Sequence, residues 1–288
     1  MSSATPHPWI TPDWPPLPGV HALFTTRAGG VSQPPFDSLN LGDHVRDAPA
    51  DVAANRRILS EAIAQRSPGA RPVFLQQVHG CDVEALSACT ADGTAADACT
   101  SSQPDQVCTI MVADCLPVLL AHRHLPVVAA AHAGWRGLVG QGGVGVLETV
   151  VQRLMAQAQA LWAQQAMEKR ASTCELGDVQ VWLGPCIGPT AFEVGDEVRQ
   201  AFVAASEQAA SCFAPGAVPG KWWADLAGLA RQRLQALGIR HIYGNDSSAA
   251  WCTVSDAARF FSHRRDAAVL GSTGRMAACI WQDGSPAN

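Results

Sequence analysis

Three segments of this 288-residue chain put metal-ligating side chains where short apolar runs stop. His79 closes the run PVFLQQVH and Cys115 follows Val107–Ala113, while His132 lies at the end of Pro126–Ala133. Two imidazoles and one thiolate suit zinc with one coordination position left open. An open position serves hydrolytic chemistry, because zinc lowers the pKa of bound water to roughly 7. The spacings, 36 and 17 residues, match no short ligand signature. Other readings of the same residues therefore stay open. The histidines can be strand-terminal groups bonded to backbone, with Cys115 a buried thiol. Alternatively, Cys115 is a nucleophile with His79 or His132 as its base and Asp114 as the orienting group. A rival trio is His122, His124 and His132, since residues i and i+2 share a strand face; HRHLP, however, reads as a polar turn. No GxSxG elbow supports a serine triad.

Arg27, Arg136, Arg264 and Arg275 each flank a glycine turn or a strand end. Arginine grips phosphate and carboxylate through two parallel N–H bonds, although a surface ion pair is its commoner use. Arg27 beside Gly29-Gly30 and Arg136 between Gly134 and Gly137 stand out. Glycines there let backbone approach a ligand closely, and the helix that follows offers free N–H groups at its start.

These side chains need a rigid frame. Strands are expected at His21–Thr26, Pro72–His79, Cys81–Leu86, Val107–Ala113, Leu116–Ala121, Pro126–Ala133 and Val179–Leu183, and near 239–243, 259–264 and 275–282. Several are short runs of Val, Leu and Ile, as buried strands are. Helices are expected at Asp51–Gln65, Val144–Met167, Gly195–Ser206 and Trp222–Leu237. The Trp222-Trp223 pair at that last helix start reads as core packing. Residues 87–104 read as a small, polar loop. The irregular stretch to about Pro49 carries Asn40, Asp43, His44 and Arg46, with Phe36, Leu39 and Leu41 as anchors; loops this long are usually functional or disordered. No repeat and no linker divides the chain. The expectation is a Pro-rich arm over 1–19 and one α/β domain with a mixed sheet over 20–288.

Composition narrows the function classes. Apolar residues make up 48% and charged residues 16%, which excludes wholesale disorder. The net charge is -5 and no basic run occurs, so nucleic acid is not a favoured partner. Histidines, Arg123 and prolines interrupt the most apolar stretch, Leu116–Ala131, well short of the roughly 20 clean residues of a membrane span. The N-terminal sequence lacks a secretory pattern, and none of the ten cysteines falls in a CxxC. Mostly free, buried thiols in a cytoplasmic protein are expected.

Six segments in order carry a resemblance: TTRAGGVSQPPFDSLNLGDHVRD (25–47), QQVHG (76–80), ADCLPVLL (113–120), AAHAGWRG (130–137), WLGPCIGPTAFEVGDEV (182–198) and FFSHRRDAAVLGSTGRMA (260–277). Together they resemble the YfiH family, also called multicopper polyphenol oxidase (laccase) and peptidoglycan editing factor. The resemblance spans about residues 20–282. It implies a single layered α-β-β-α domain and a catalytic metal set of His79, Cys115 and His132. Zinc is the implied metal, with copper attached through the laccase activity. The implied reactions are phosphorolysis of adenosine, inosine and methylthioadenosine, and deamination of adenosine. Arg27, Asn40 and Arg136 are the expected substrate and phosphate contacts. Editing of a UDP-muramoyl amino acid precursor, phenol oxidation by copper, and a zinc-binding module without turnover are the alternatives. A multicopper centre should be richer in histidine than nine scattered positions. The chain departs from the family pattern at Arg46 (usually Gly), Val112 (usually Thr) and His122 (commonly acidic). Neither the sequence nor the resemblance sets the oligomeric state.

Overall fold

The structure, a computed structural model, describes residues 7–165 and 174–283. Its strands are β1 (Val20–Phe24), β2 (Arg71–Phe74), β3 (Val83–Ala85), β4 (Ala98–Ser101), β5 (Gln106–Val112), β6 (Leu116–His122), β7 (Val128–Ala133), β8 (Val179–Leu183), β9 (Glu193–Gly195), β10 (Phe213–Pro215), β11 (Lys221–Ala224), β12 (His241–Gly244) and β13 (Met276–Gln282). Its helices are α1 (Pro49–Ala64), α2 (Trp135–Val139), α3 (Val146–Gln164), α4 (Asp196–Ala205), α5 (Leu226–Ala236) and α6 (His263–Leu270).

Period-two side-chain alternation builds the layers. In β13, Met276, Ala278 and Ile280 face one way, and Ala277, Cys279 and Trp281 the other. In β5, Cys108, Ile110 and Val112 oppose Val107 and Met111 in the same manner. Both faces of these strands are buried, so they read as unbroken apolar runs. They belong to a four-stranded sheet in the order β1-β13-β5-β2. A six-stranded sheet, β12-β8-β6-β7-β4-β3, lies against it. Leu119, Ala121, Val128, Ala130 and Trp182 of the larger sheet meet the inner residues of the smaller one. The larger sheet's other face packs on α3 and α5, and the smaller sheet's other face packs on α1 through Leu59 and Ile63. The layers are thus α-β-β-α, with parallel and antiparallel pairs in both large sheets. A small third sheet, β10-β11-β9, sits beside α4.

Several expectations need correction. The stretch 87–104 contains β4, which pairs with β7 and β3. Its residues Ala-Cys-Thr-Ser are small because both faces are covered, and all four are buried. The expected helix from Trp222 begins at Leu226, where the Asp225 side chain accepts the Gly228 N–H at 2.8 Å. Trp222 and Trp223 lie in β11 instead. The expected strand 259–264 is an irregular approach to α6, started by the Ser262 hydroxyl accepting the Arg265 N–H. β2 stops at Phe74, so His79 belongs to a loop and not to a strand end. Residues 166–167 of the long expected helix lie outside the described residues. The N-terminal segment is pinned to the body: Ile10 pairs with Phe24, and Trp182 Nε1 donates to Asp13 at 3.0 Å. All ten cysteines are unpaired, and half of them are buried. Among the described residues no helix is long and apolar enough to cross a membrane.

Ile110 is fully buried between the two sheets. Ile110→Ala is expected to cost about 2–5 kcal/mol, read as a lower urea midpoint with an unchanged slope.

Candidate metal centre

The alternation that builds the core also aims the site. Ala129, Ala131 and Ala133 of β7 face the helices, which turns His132 toward the space between the sheets. Cys115 sits in the tight connection from β5 to β6, after Asp114 with a φ of +89°. Both Asp114 carboxylate oxygens are occupied: Thr253 Oγ1 donates to one and the Arg264 N–H to the other, each at 2.6 Å. Asp114 is therefore a structural tie between the Cys115 turn and α6, and the carboxylate that orients an imidazole here is Asp97 instead.

Asp97, just before β4, is fully buried. Its carboxylate accepts the backbone N–H groups of Val78 (3.1 Å), His79 (2.8 Å) and Gly80 (2.6 Å), and the His132 Nδ1–H at 2.8 Å. One carboxylate thus shapes the loop carrying the first histidine and sets the tautomer of the second. It also holds His79 at a φ of +62°, uncommon for a non-glycine residue. With Nδ1 engaged, His132 presents Nε2 to the site. Burial raises the Asp97 pKa, but the His132 hydrogen bond and charge and the Gly80 and Val78 N–H groups bring it below the usual range.

The donor atoms of His79, Cys115 and His132 lie within 4.8 Å of one another. Cys115 Sγ is 3.8 Å from His79 Nε2, and the two imidazoles meet edge to face with centroids 4.7 Å apart. Tetrahedral zinc with bonds of about 2.0–2.3 Å puts its donors roughly 3.3–3.6 Å apart, so the trio fits a metal once the side chains close in by up to about 1 Å. Burial pushes the Cys115 thiol up, but the His132 charge and hydrogen bonds from both imidazoles outweigh it and bring the pKa to about 6. Burial likewise opposes charge on His132, yet the Cys115 thiolate and Asp97 hold it up at about 9. A thiolate is the form a metal binds. Gly134 explains the missing side chain over the trio: a Cβ there would stand 2.9 Å from His79 Cδ2 and 3.1 Å from Cys115 Sγ.

The trio lines a cavity of about 430 Å³, within the range of small-ligand sites. Ile187, Phe192 and Leu226 supply an apolar wall, while Arg136, Arg264, Arg275, His44 and His263 supply cationic or imidazole groups. Arg136 is exposed and lies over the Trp135 ring at 4.5 Å. Arg27 is not among the cavity residues. It pairs with Asp37 at 3.1 Å, donates to the Asp37 and Ala257 carbonyls, and covers the Phe261 ring. Asn40 is fully buried and supports its surroundings from behind. Its Oδ1 accepts the Gly42 and Arg275 N–H groups, and its Nδ2 donates to the Gly42 carbonyl and Asp47. His122 ends β6 and His124 lies in the turn that follows, with His122 Nδ1 accepting the N–H groups of His124 and Leu125. Among the described residues, His79, Cys115 and His132 form the one compact metal-ligand cluster. Asp97 carries no local signal of its role, because 87–104 reads as a polar loop. Arg275 and His44 were visible only as one flanking arginine and one loop histidine.

Comparison with known proteins agrees with this fold. A family model described as "Multi-copper polyphenol oxidoreductase laccase" matches residues 21–283. A protein of Pseudomonas aeruginosa named purine nucleoside phosphorylase is 48% identical over 273 residues, covering 95% of this chain and 98% of that protein. The Escherichia coli purine nucleoside phosphorylase YfiH is 44% identical, covering 94% and 98%. A solved Neisseria meningitidis protein superposes with a TM-score of 0.80 at 38% identity, over 96% of this chain and 99% of its own. The Bacillus licheniformis protein YfiH gives 0.72 at 28% identity, over 92% and 93%. The chain belongs to the YfiH family, the one described by that laccase model.

Asp97→Asn places an amide among four N–H donors. It is expected to weaken zinc binding about 10–100-fold, measured by competition with a chromogenic chelator. Gly134→Ala should weaken zinc as well, while far-ultraviolet circular dichroism stays unchanged.

Proposed function

We propose that this protein is a zinc-dependent purine nucleoside phosphorylase that accepts adenosine, inosine and methylthioadenosine and also deaminates adenosine. The observation that carries the reading is the convergence of His79, Cys115 and His132 on one wall of a cavity whose other walls are apolar and cationic. The names of the relatives in Pseudomonas and Escherichia support the phosphorylase class. His79 Nε2, Cys115 Sγ and His132 Nε2 would hold the metal. When bound, zinc supplies a Lewis acid with an open position.

The remaining chemistry belongs to the chain. Ile187, Phe192 and Leu226 offer apolar surface to a purine. The cationic groups favour a phosphate dianion beside it. In phosphorolysis a phosphate oxygen bonds to C1′ of the ribose as the C1′–N9 bond breaks. The electron pair leaves with the purine, which takes up a proton, and the products are free base and ribose 1-phosphate. Charge develops on the departing base and on the ribose ring, where the fixed charges and dipoles of the lining can meet it. In deamination water replaces the C6 amino group and ammonia leaves.

The same donors suit copper, because thiolate and imidazole are ligands for both metals. The single compact cluster among the described residues favours one metal over a multicopper centre. Cytoplasmic residence remains part of the proposal, resting on ten unpaired thiols.

Zinc-loaded protein is expected to release hypoxanthine from inosine only when phosphate is present. Cys115→Ala should lose bound zinc by elemental analysis and lose turnover by about 100-fold or more. Wild-type turnover in that variant would overturn the reading.

A further inference from the structure

Of the four arginines that flank glycine turns or strand ends, two have their head groups committed. Arg27 is bound to Asp37 and the Ala257 carbonyl outside the cavity. Arg264 donates through both terminal nitrogens to the Ala191 and Glu193 carbonyls. Arg136 has no ion pair among the described residues, but it is exposed, so water already solvates its charge. Arg275 differs from all three. It is only partly exposed and lines the cavity with the metal trio. Its Nη1 donates to the Thr273 and Gly274 carbonyls at 2.9 and 3.2 Å. Among the described residues, Nε and Nη2 donate to no acceptor and no carboxylate forms an ion pair with the guanidinium.

Burial opposes the Arg275 charge, and the nearest opposite charges, the Cys115 thiolate and Asp114, offset it only through space, so its free N–H donors remain available to an anion. The position is also rigid. The Arg275 N–H is held by Asn40 Oδ1 at 2.8 Å, and the side-chain stem lies against Gly42, where a Cβ would stand 2.7 Å from Arg275 Cγ. The two carbonyls fix the plane of the guanidinium. A fixed fork with two unused donors on one side matches two oxygens of a tetrahedral oxyanion.

We propose that Arg275 is the phosphate-binding arginine of this cavity, receiving inorganic phosphate through Nε–H and Nη2–H while Nη1 stays on the Thr273 and Gly274 carbonyls. The assignment rests on the phosphorylase reading and names the group that holds its second substrate. Arg136 then has a lesser part, at the cavity mouth.

The test is binding of inorganic phosphate by calorimetry, on zinc-loaded and metal-free protein, so that phosphate held by the metal is separated from phosphate held by the arginine. Arg275→Gln should weaken phosphate about tenfold or more in both forms. Arg275→Lys, which keeps the charge and loses the fork, should fall between. Arg136→Gln should stay within about threefold of wild type. On unaltered protein, phosphate should slow phenylglyoxal modification of Arg275, located by peptide mass spectrometry; this arm stands if a variant fails to fold. Undiminished phosphate binding in Arg275→Gln, or no protection of Arg275, overturns the proposal. So does a defect confined to a nucleoside monophosphate with inorganic phosphate unaffected. Because none of these readouts needs turnover, Arg275-dependent phosphate binding in a protein that does not cleave inosine would sink the phosphorylase reading alone.

Discussion

A single buried carboxylate organises the centre of this protein. Asp97 accepts four N–H bonds, three from the loop at Val78–Gly80 and one from the ring of His132. A charge with no exposure is tolerated only when its lone pairs are filled, and here the groups that fill them are the ones that must be fixed. The same contact joins β4 to the loop beyond β2 and to β7, so the two large sheets are registered against each other where the donors meet. Gly134 and Gly137 complete the arrangement. A Cβ at Gly137 would come within 2.6 Å of the Gly80 carbonyl, so the chain after β7 can lie directly on the Asp97-held loop.

The paired sheets were legible because β5, β6, β7 and β13 are covered on both faces, and runs such as Val107–Ala113 state that directly. β4 was not legible. Its Ala-Cys-Thr-Ser lacks the branched residues that mark a strand, since close packing, not propensity, places it there. The apolar pair Phe260-Phe261 suggested a strand, but both rings are core anchors for the segment leading into α6. Trp222 suggested a helix start. Instead it lies across from Val194 in a three-stranded sheet, its indole N–H on Asp196 and the Arg199 guanidinium over its ring.

The donor trio was legible from residue type and from the family resemblance, but the partners of those residues were not. Asp97 is a carboxylate in a polar stretch, and nothing local tells a buried hub from a solvated one. Arg27 and Arg275 look alike in sequence, each beside a glycine. They part because Asp37 pairs directly with the first, whereas Asp114 and the Cys115 thiolate act on the second only through space, with no ion pair to it among the described residues. The departure at Arg46 has a plain backbone meaning. Its φ of +70° lies in the left-handed region, where the glycine usual at this position would sit without strain. His122, at another of the three departures, spends Nδ1 on the turn that follows β6 and lies far along that strand from Cys115.

β13 is an interior strand of its sheet, flanked by β1 and β5, although it is the final strand in chain order. The cavity walls run from His44 to Arg275, immediately before that strand. During synthesis, therefore, the nascent polypeptide carries His79, Cys115 and His132 long before the piece that closes the sheet has left the ribosome. Until then β1 and β5 lack the strand that lies between them, and apolar faces such as that of Ile110 stay uncovered.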